Sequence, residues 1–308
     1  MTRILITGAA GQAGTALGEE LKSVGDLTLT TREDLDLSKP EKMGERLDEI
    51  RPDLIINAAA YTAVDKAEVE KELAYAVNAA AVKALGVWAA ARQVPLIHFS
   101  TDYVFDGTAT EPYRETHSIA PLSIYGMSKA EGERLLLSTG ACCLIIRTAW
   151  VYSGTGKNFL RTIVRLAGER DELAVVNDQT GTPTSAPEIA KFVHHLLSKG
   201  LGGLPALFDK SGRMVHFTAS GWTSWHGFAA AIVAGMKRRG HPVRASSVRP
   251  IPSSEYPAPA VRPKYSRLSI ERLNEVFDYY PDSWERALDR VLDLMFGSAA
   301  ASGDGGQR

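Results

Sequence analysis

Short apolar runs alternate with amphipathic stretches through residues 1–152. Arg3–Thr7 (RILIT) reads as a buried strand, and Leu17, Leu21 and Val24 then recur at helical spacing. A second strand is predicted over Leu27–Thr31. Behind Pro40, which suits a first helical turn, Met43, Leu47 and Ile50 form an apolar stripe. Asp53–Ala60 (DLIINAAA) is apolar on both faces, as in a parallel sheet covered from both sides. An Ala-rich helix carrying Leu73, Val77, Ala84 and Trp88 follows, then a strand over Pro95–Asp102, a helix from about Ile124 to Ser138, and a strand over Cys142–Tyr152. Such alternation implies right-handed crossovers and a doubly wound parallel sheet of the α/β class.

The rhythm changes beyond Tyr152. Helical patterns over Phe159–Leu166, Pro187–Leu197 and Trp225–Met236 are separated by a strand-like Leu173–Asn177, the loop DQTGTPT and a Gly-rich aromatic stretch. Pro250–Pro263 holds five prolines and reads as extended or looped. Trp284, Leu288, Val291 and Met295 mark a closing amphipathic helix. The expected division is therefore 1–152 as the sheet-forming domain and 153–296 as a smaller α+β region that lends some segments back to the first. Residues 297–308 (GSAAASGDGGQR) are expected as a disordered tail.

Charge and composition narrow the function. With 35 basic and 36 acidic side chains, the formal net charge of −1 lacks the basic footprint of a nucleic-acid binder. No apolar run approaches the roughly 20 residues of a membrane span, and the N-terminus lacks a signal-peptide pattern. The two cysteines are the neighbours Cys142 and Cys143, read as small apolar residues of a buried strand. His194 and His195 diverge by about 100° on a helix and cannot share a metal. A reducing, cytoplasmic setting is expected.

Gly8, Gly11 and Gly14 form G-x-x-G-x-x-G between a strand and a helix. Glycine allows the tight turn and lets backbone approach a pyrophosphate, which the helix N-terminus then receives. The second strand ends near Arg32, which suits a ribose 2′-phosphate, but Glu33 and Asp34 follow and leave the choice between NADPH and NADH open, with NADPH favoured. Tyr125 and Lys129 stand at i and i+4, where an ammonium favours the phenolate of a proton-transferring tyrosine. Ser100-Thr101-Asp102-Tyr103 lies at a strand's carboxyl end, where a hydroxyl can polarise a carbonyl.

In order along the chain, GAAGQAG, NAAAYTAVDKAE (Asn57–Glu68), STDYVFDG, YGMSKAEGE, RTAWVY, DQTGTPT and RPKYSRLS resemble the extended short-chain dehydrogenase/reductase superfamily, and within it the dTDP-4-dehydrorhamnose reductase (RmlD-type) family. The resemblance spans residue 3 to about 270. It implies a Rossmann-type fold and reduction of the C4 ketone of a dTDP-4-dehydro-6-deoxy sugar by NAD(P)H. Residue by residue, it implies Tyr125 as proton donor, Lys129 as its tuner and a ligand of the nicotinamide ribose, and Thr101 rather than Ser100 on the reacting oxygen. Asp102, Tyr103 and Trp150 would surround the sugar. Gly8, Gly11, Gln12 and Ala13 would hold the pyrophosphate, Arg32, Asp36 and Leu37 the adenosine side, and Ala60, Tyr61 and Thr62 the approach to the nicotinamide. Trp150 also reads as core packing, Asp36 as a turn former, and Arg262 as a phosphate ligand or one half of a surface pair.

Thr15 stands where magnesium-linked homodimers of this family carry an acidic residue, so no metal is expected, and a homodimer is compatible but unspecified. Two other readings stay open: a different sugar-nucleotide short-chain enzyme (another 4-ketoreductase or an epimerase), and a non-catalytic nucleotide-binding regulatory subunit.

Overall fold

A computed structural model describes residues 1–297; the expected tail from residue 298 on lies outside the described residues. Six parallel strands form the main sheet: β1 (Arg3–Thr7), β2 (Asp26–Thr30), β3 (Leu54–Asn57), β4 (Leu96–Thr101), β5 (Cys143–Thr148) and β6 (Met214–His216), in the spatial order 6-5-4-3-1-2. The chain leaves β1 for β2 on one side and returns to β3 on the other. That reversal opens a crevice at the carboxyl ends of β1 and β3, where ligands bind in open α/β sheets.

The longer helices are α1 (Gln12–Glu20), α2 (Met43–Ile50), α3 (Lys71–Arg92), α4 (Ile124–Ser138), α5 (Phe159–Glu169), α6 (Ala186–Ser198), α7 (Trp225–Arg238) and α8 (Trp284–Phe296), of which α1, α2, α3, α4 and α6 cover the main sheet. Alternation along the strands sorts the core into two layers. Ile4, Ile6, Ile56 and Ile146 face α1 and α6, against Leu17, Leu21, Phe192 and Val193. Leu5, Ile55, Leu96 and Ile145 face α2, α3 and α4, against Met43, Leu47, Leu85 and Leu136. A further apolar cluster joins Tyr152, Leu160, Ile163, Phe228, Ile232, Trp284 and Leu288 from α5, α7 and α8.

Several elements depart from the sequence expectation. The run predicted over Cys142–Tyr152 breaks after Thr148, because Trp150 takes a left-handed backbone (φ 48°), and Val151–Tyr152 pairs instead with Thr184–Ser185. Strand β6 was not visible in a Gly-rich stretch, being only three residues long. Within Pro250–Pro263, the start belongs to a strand, Ser247–Ile251, in a two-stranded sheet with Glu172–Val176. Pro250 is tolerated there because a two-stranded sheet is all edge.

Helix α3 is, among the described residues, long and apolar enough by composition to cross a membrane, against the expectation of no such run, but half of that window is buried inside the protein. It is interrupted by a π turn at Ala76–Ala80. Helix α4 crosses that turn so closely that a Cβ added at Gly132 would lie 2.0 Å from the Asn78 carbonyl oxygen. Gly→Ala inside a helix ordinarily stabilises by up to about 1 kcal/mol. Gly132→Ala is expected to do the opposite, costing about 2–4 kcal/mol by forcing α3 and α4 apart. Thermal unfolding beside Gly44→Ala, whose Cβ would meet nothing within 4 Å, separates the packing effect from intrinsic propensity.

Candidate active site

The glycine turn is built for close backbone approach. Gly8 has φ 67°, and a Cβ there would lie 2.7 Å from the Ala59 backbone; one at Gly14 would lie 2.2 Å from the Gly8 carbonyl oxygen. Gly11 is the N-cap of α1, with no side chain bonded to the helix end, so the first-turn N–H groups of Gln12 and Ala13 stay free for an anion. A cradle that one methyl group would fill, beside an uncapped helix end, fits a dinucleotide pyrophosphate.

A cleft of about 530 Å³ runs from this turn over the sheet's carboxyl edge. Every residue assigned to the cofactor from sequence lines it: Gly8, Gly11, Gln12 and Ala13 at the turn, Arg32, Asp36 and Leu37 at the far end, Ala60, Tyr61 and Thr62 after β3, and Tyr125 and Lys129 on α4. At the far end, Arg32 lies 3.6 Å from Asp36, as does Lys39. Hydrogen bonds from Ser38 hold the Asp36 carboxyl below its ordinary range. Asp36 is thus both a turn former and a wall of the cleft. Sequence reasoning missed Lys157, a cation on the loop after Tyr152 that also lines it; nothing in the local pattern marks it.

Also missed was Asn78. From the π turn of α3 its Oδ1 accepts from Tyr61 N (2.8 Å), while its Nδ2 donates to Tyr61 O (3.0 Å) and Ser128 Oγ (3.0 Å). One amide thus ties the loop after β3 to the helix carrying Tyr125 and Lys129. A π turn inside an Ala-rich stretch is the signal that could have drawn attention to it.

Thr101 ends β4 with its hydroxyl between several groups. Its Oγ1 accepts from Tyr103 N (3.2 Å) and donates to Asp102 Oδ1 (3.0 Å). Burial pushes the Tyr125 phenol up to about 12, with the nearby Thr101 hydroxyl pulling the other way. The expected ammonium–phenol contact is absent: Lys129 Nζ donates to Phe99 O (2.7 Å) and lies 3.2 Å from His98 Nε2. Burial brings the Lys129 ammonium down to about 8 against the opposing attraction of Glu133. Ser100, the other hydroxyl at this strand end, donates to Glu133 Oε1 (2.5 Å), and Glu133 forms a buried bidentate pair with Arg147 (2.8 and 2.7 Å).

Asp102 is buried, which pushes its carboxyl up to about 6 despite the hydroxyls of Ser266 and Thr101. The ring of Tyr103 meets Tyr125 edge-on at 5.4 Å. Trp150, in its left-handed conformation, lies flat on Trp225 at 3.5 Å, and a Cβ at Gly181 would strike its indole. A bulky residue with positive φ is unusual. These three residues, with Thr101, sit at the strand ends beside the cleft rather than among its lining. Arg262 pairs with Asp65 (2.7 Å), half-buried between the loop after β3 and the segment before Tyr265.

The chain matches the RmlD substrate binding domain family model over residues 1–296. It is 44% identical over 298 residues to the dTDP-4-dehydrorhamnose reductase of Burkholderia thailandensis, covering 95% of this chain and 99% of that one. The Escherichia coli dTDP-4-dehydrorhamnose reductase is 40% identical over 301 residues, 96% and 99% of the two chains. Among solved structures, dTDP-4-dehydrorhamnose reductase from Bacillus anthracis in complex with NADP superposes with a TM-score of 0.85 at 36% identity, covering 96% of this chain and 100% of that one. The chain belongs to the RmlD family of dTDP-4-dehydrorhamnose reductases, a family of oxidoreductases.

Proposed function

We propose that this protein reduces the C4 ketone of dTDP-4-dehydro-6-deoxy-L-mannose to give dTDP-L-rhamnose, with NADPH as the reductant. The observation that carries the reading is that Tyr125 and Lys129, one turn apart on α4, both line a glycine-cradled nucleotide cleft beside the strand end that carries Thr101. NADPH held by the glycine turn, Arg32 and Lys129 would supply a hydride to C4.

The protein's own residues do the rest. Tyr125 donates its phenolic proton to the oxygen as negative charge develops there. Thr101 donates its hydroxyl hydrogen to the same oxygen; Ser100, engaged with Glu133, is the poorer candidate. Lys129 holds the nicotinamide ribose and lends positive charge next to Tyr125. Asp102, Tyr103 and Trp150 orient the sugar, and Arg262 takes a phosphate of the substrate by exchanging its partner Asp65. Arg32 favours NADPH through the 2′-phosphate, in keeping with the NADP complex of the Bacillus anthracis relative.

Tyr125→Phe is expected to lower kcat by about 10²–10⁴-fold while leaving cofactor affinity nearly unchanged. Cofactor oxidation followed by absorbance, with binding measured separately, tests this; wild-type protein that oxidises neither NADPH nor NADH with this sugar nucleotide would end the proposal. Arg32→Ala is expected to raise KM for NADPH about tenfold and to leave KM for NADH little changed. Equal losses with both cofactors would remove Arg32 from 2′-phosphate recognition.

Asp102 gives a prediction on stability. Its folded pKa lies above the ordinary carboxyl value, so the folded state keeps its proton longer than the unfolded chain. Stability from this group is fully present below about pH 4 and is lost as pH rises through about 6. Asp102→Asn therefore stabilises the protein by about 1–3 kcal/mol at pH 8, with a much smaller gain at pH 4. Denaturant unfolding at the two pH values reads the difference; equal effects at both would mean Asp102 does not titrate as described.

A further inference from the structure

A row of buried polar side chains runs beneath the cleft, from β1 across β3 and β4 to α4. Thr7, Asn57 and His98 are register partners on three adjacent strands, and none has exposed surface. Ala59 N donates to Thr7 Oγ1 (3.3 Å), and the Thr7 hydroxyl donates to Asn57 Oδ1 (2.6 Å). Asn57 Nδ2 lies 3.0 Å from His98 Nδ1, and His98 Nε2 lies 3.2 Å from Lys129 Nζ. The row thus starts at the backbone that seats the glycine turn and ends at a lysine of the proposed active site.

Counting hydrogens fixes its polarity. With Asn57 Oδ1 taken by Thr7, the amide offers only N–H to His98, so Nδ1 must accept. His98 is held neutral, first by burial and then by the nearby lysine charge. A neutral imidazole accepting at Nδ1 carries its one hydrogen on Nε2, aimed at Lys129 Nζ. Against an amine that hydrogen makes a bond; against an ammonium it meets another hydrogen. The other titratable groups around Nζ are Tyr125 and Glu133 on the same helix, with Arg147 of β5 neutralising Glu133. From α3 and β3 the side chains bonded into this region are the neutral amides of Asn78 and Asn57.

We propose that His98 is a positioning residue for Lys129, and that the Thr7–Asn57–His98 row, by holding the Nε2–H tautomer against Nζ, loosens the lysine's grip on its proton so that Lys129 exchanges it near neutral pH. The inference rests on the reading of Tyr125 and Lys129 as a working pair. Lys129 lines the cleft, and its proton would leave and return by that side. Thr7 and Asn57 do not titrate, and the row ends at the Ala59 N–H, so it carries no net proton itself. A lysine tuned this way serves as a proton reservoir for the tyrosine it flanks.

The direct test is NMR of protein labelled with ¹⁵N in its histidine rings, without substrate or cofactor. The His98 signals are assigned by their loss in His98→Gln, because the chain has seven histidines. Long-range proton–nitrogen correlations should show His98 neutral, with its hydrogen on Nε2, from pH 6 to pH 9. An Nδ1–H tautomer or an imidazolium in the wild type would overturn the proposal. The ¹³Cε shift of Lys129, followed through pH in the same state, should give a midpoint higher by about one pH unit or more in His98→Gln, whose amide oxygen accepts from the ammonium, and in Thr7→Val, which frees the Asn57 amide to turn over. The alkaline limb of kcat/KM should move with it, whereas a merely structural role lowers kcat and leaves the limb in place. Midpoints unchanged in folded variants would sink the idea, and should neither variant fold, the wild-type tautomer decides. Because the tautomer and the lysine titration need no turnover, failure of the proposed reaction and failure of the row are told apart.

Discussion

Lys129 lies almost without exposed surface at the floor of the cleft, and the site is arranged around holding its ammonium there. A buried charge is costly unless it is hydrogen-bonded. The carbonyl of Phe99 on β4 accepts from the ammonium, while the imidazole of His98 on the same strand stands 3.2 Å away. The helix that carries the lysine reaches this depth only because Gly132 allows it to sit on the π turn of α3. The same turn presents Asn78, which fixes the loop of Ala60, Tyr61 and Thr62. Seating one lysine therefore also sets the distance between the cofactor loop, the tyrosine and the strand end with Thr101.

The cleft is suited to an anionic ligand with little excess charge. The glycine turn offers backbone N–H groups from an uncapped helix, and single cations (Arg32, Lys157 and Arg262) stand at separated points around the site. A net charge of −1 is consistent with such an arrangement, because a diphosphate needs a few directed donors and not a broad basic surface. Where the protein does bury a full ion pair, Glu133 with Arg147, the bidentate geometry offsets the desolvation cost, and the pair fixes Ser100 at the same time.

Much of this was legible in the sequence because periodicity and glycine spacing report local geometry. The strand–helix alternation predicted the parallel sheet, and helix α4 runs over the residues its pattern marked, Ile124–Ser138. The positions named for a nucleotide cofactor all line one cleft, since they follow strands β1, β2 and β3 at the edge where their chain segments converge, or lie on α4 beside that edge. What stayed hidden depends on contacts between distant segments. His98 reads as one polar residue in an apolar strand, and its meaning appears only when Asn57 and Lys129 arrive on either side. Trp150 looked like the continuation of a strand until its backbone turned left-handed against Trp225. The Tyr125–Lys129 spacing correctly put both on one helix face, yet spacing could not say that the ammonium would turn to β4 and not to the phenol.

The most direct test of the account is to follow the transferred hydrogen itself. Protein supplied with dTDP-4-dehydro-6-deoxy-L-mannose and NADPH carrying deuterium at the transferable nicotinamide position should yield dTDP-L-rhamnose with deuterium at C4 of the sugar, one per cofactor oxidised, seen by NMR as loss of the C4 proton signal. A product with hydrogen at C4, or oxidation of the cofactor without a deuterated sugar, would contradict it.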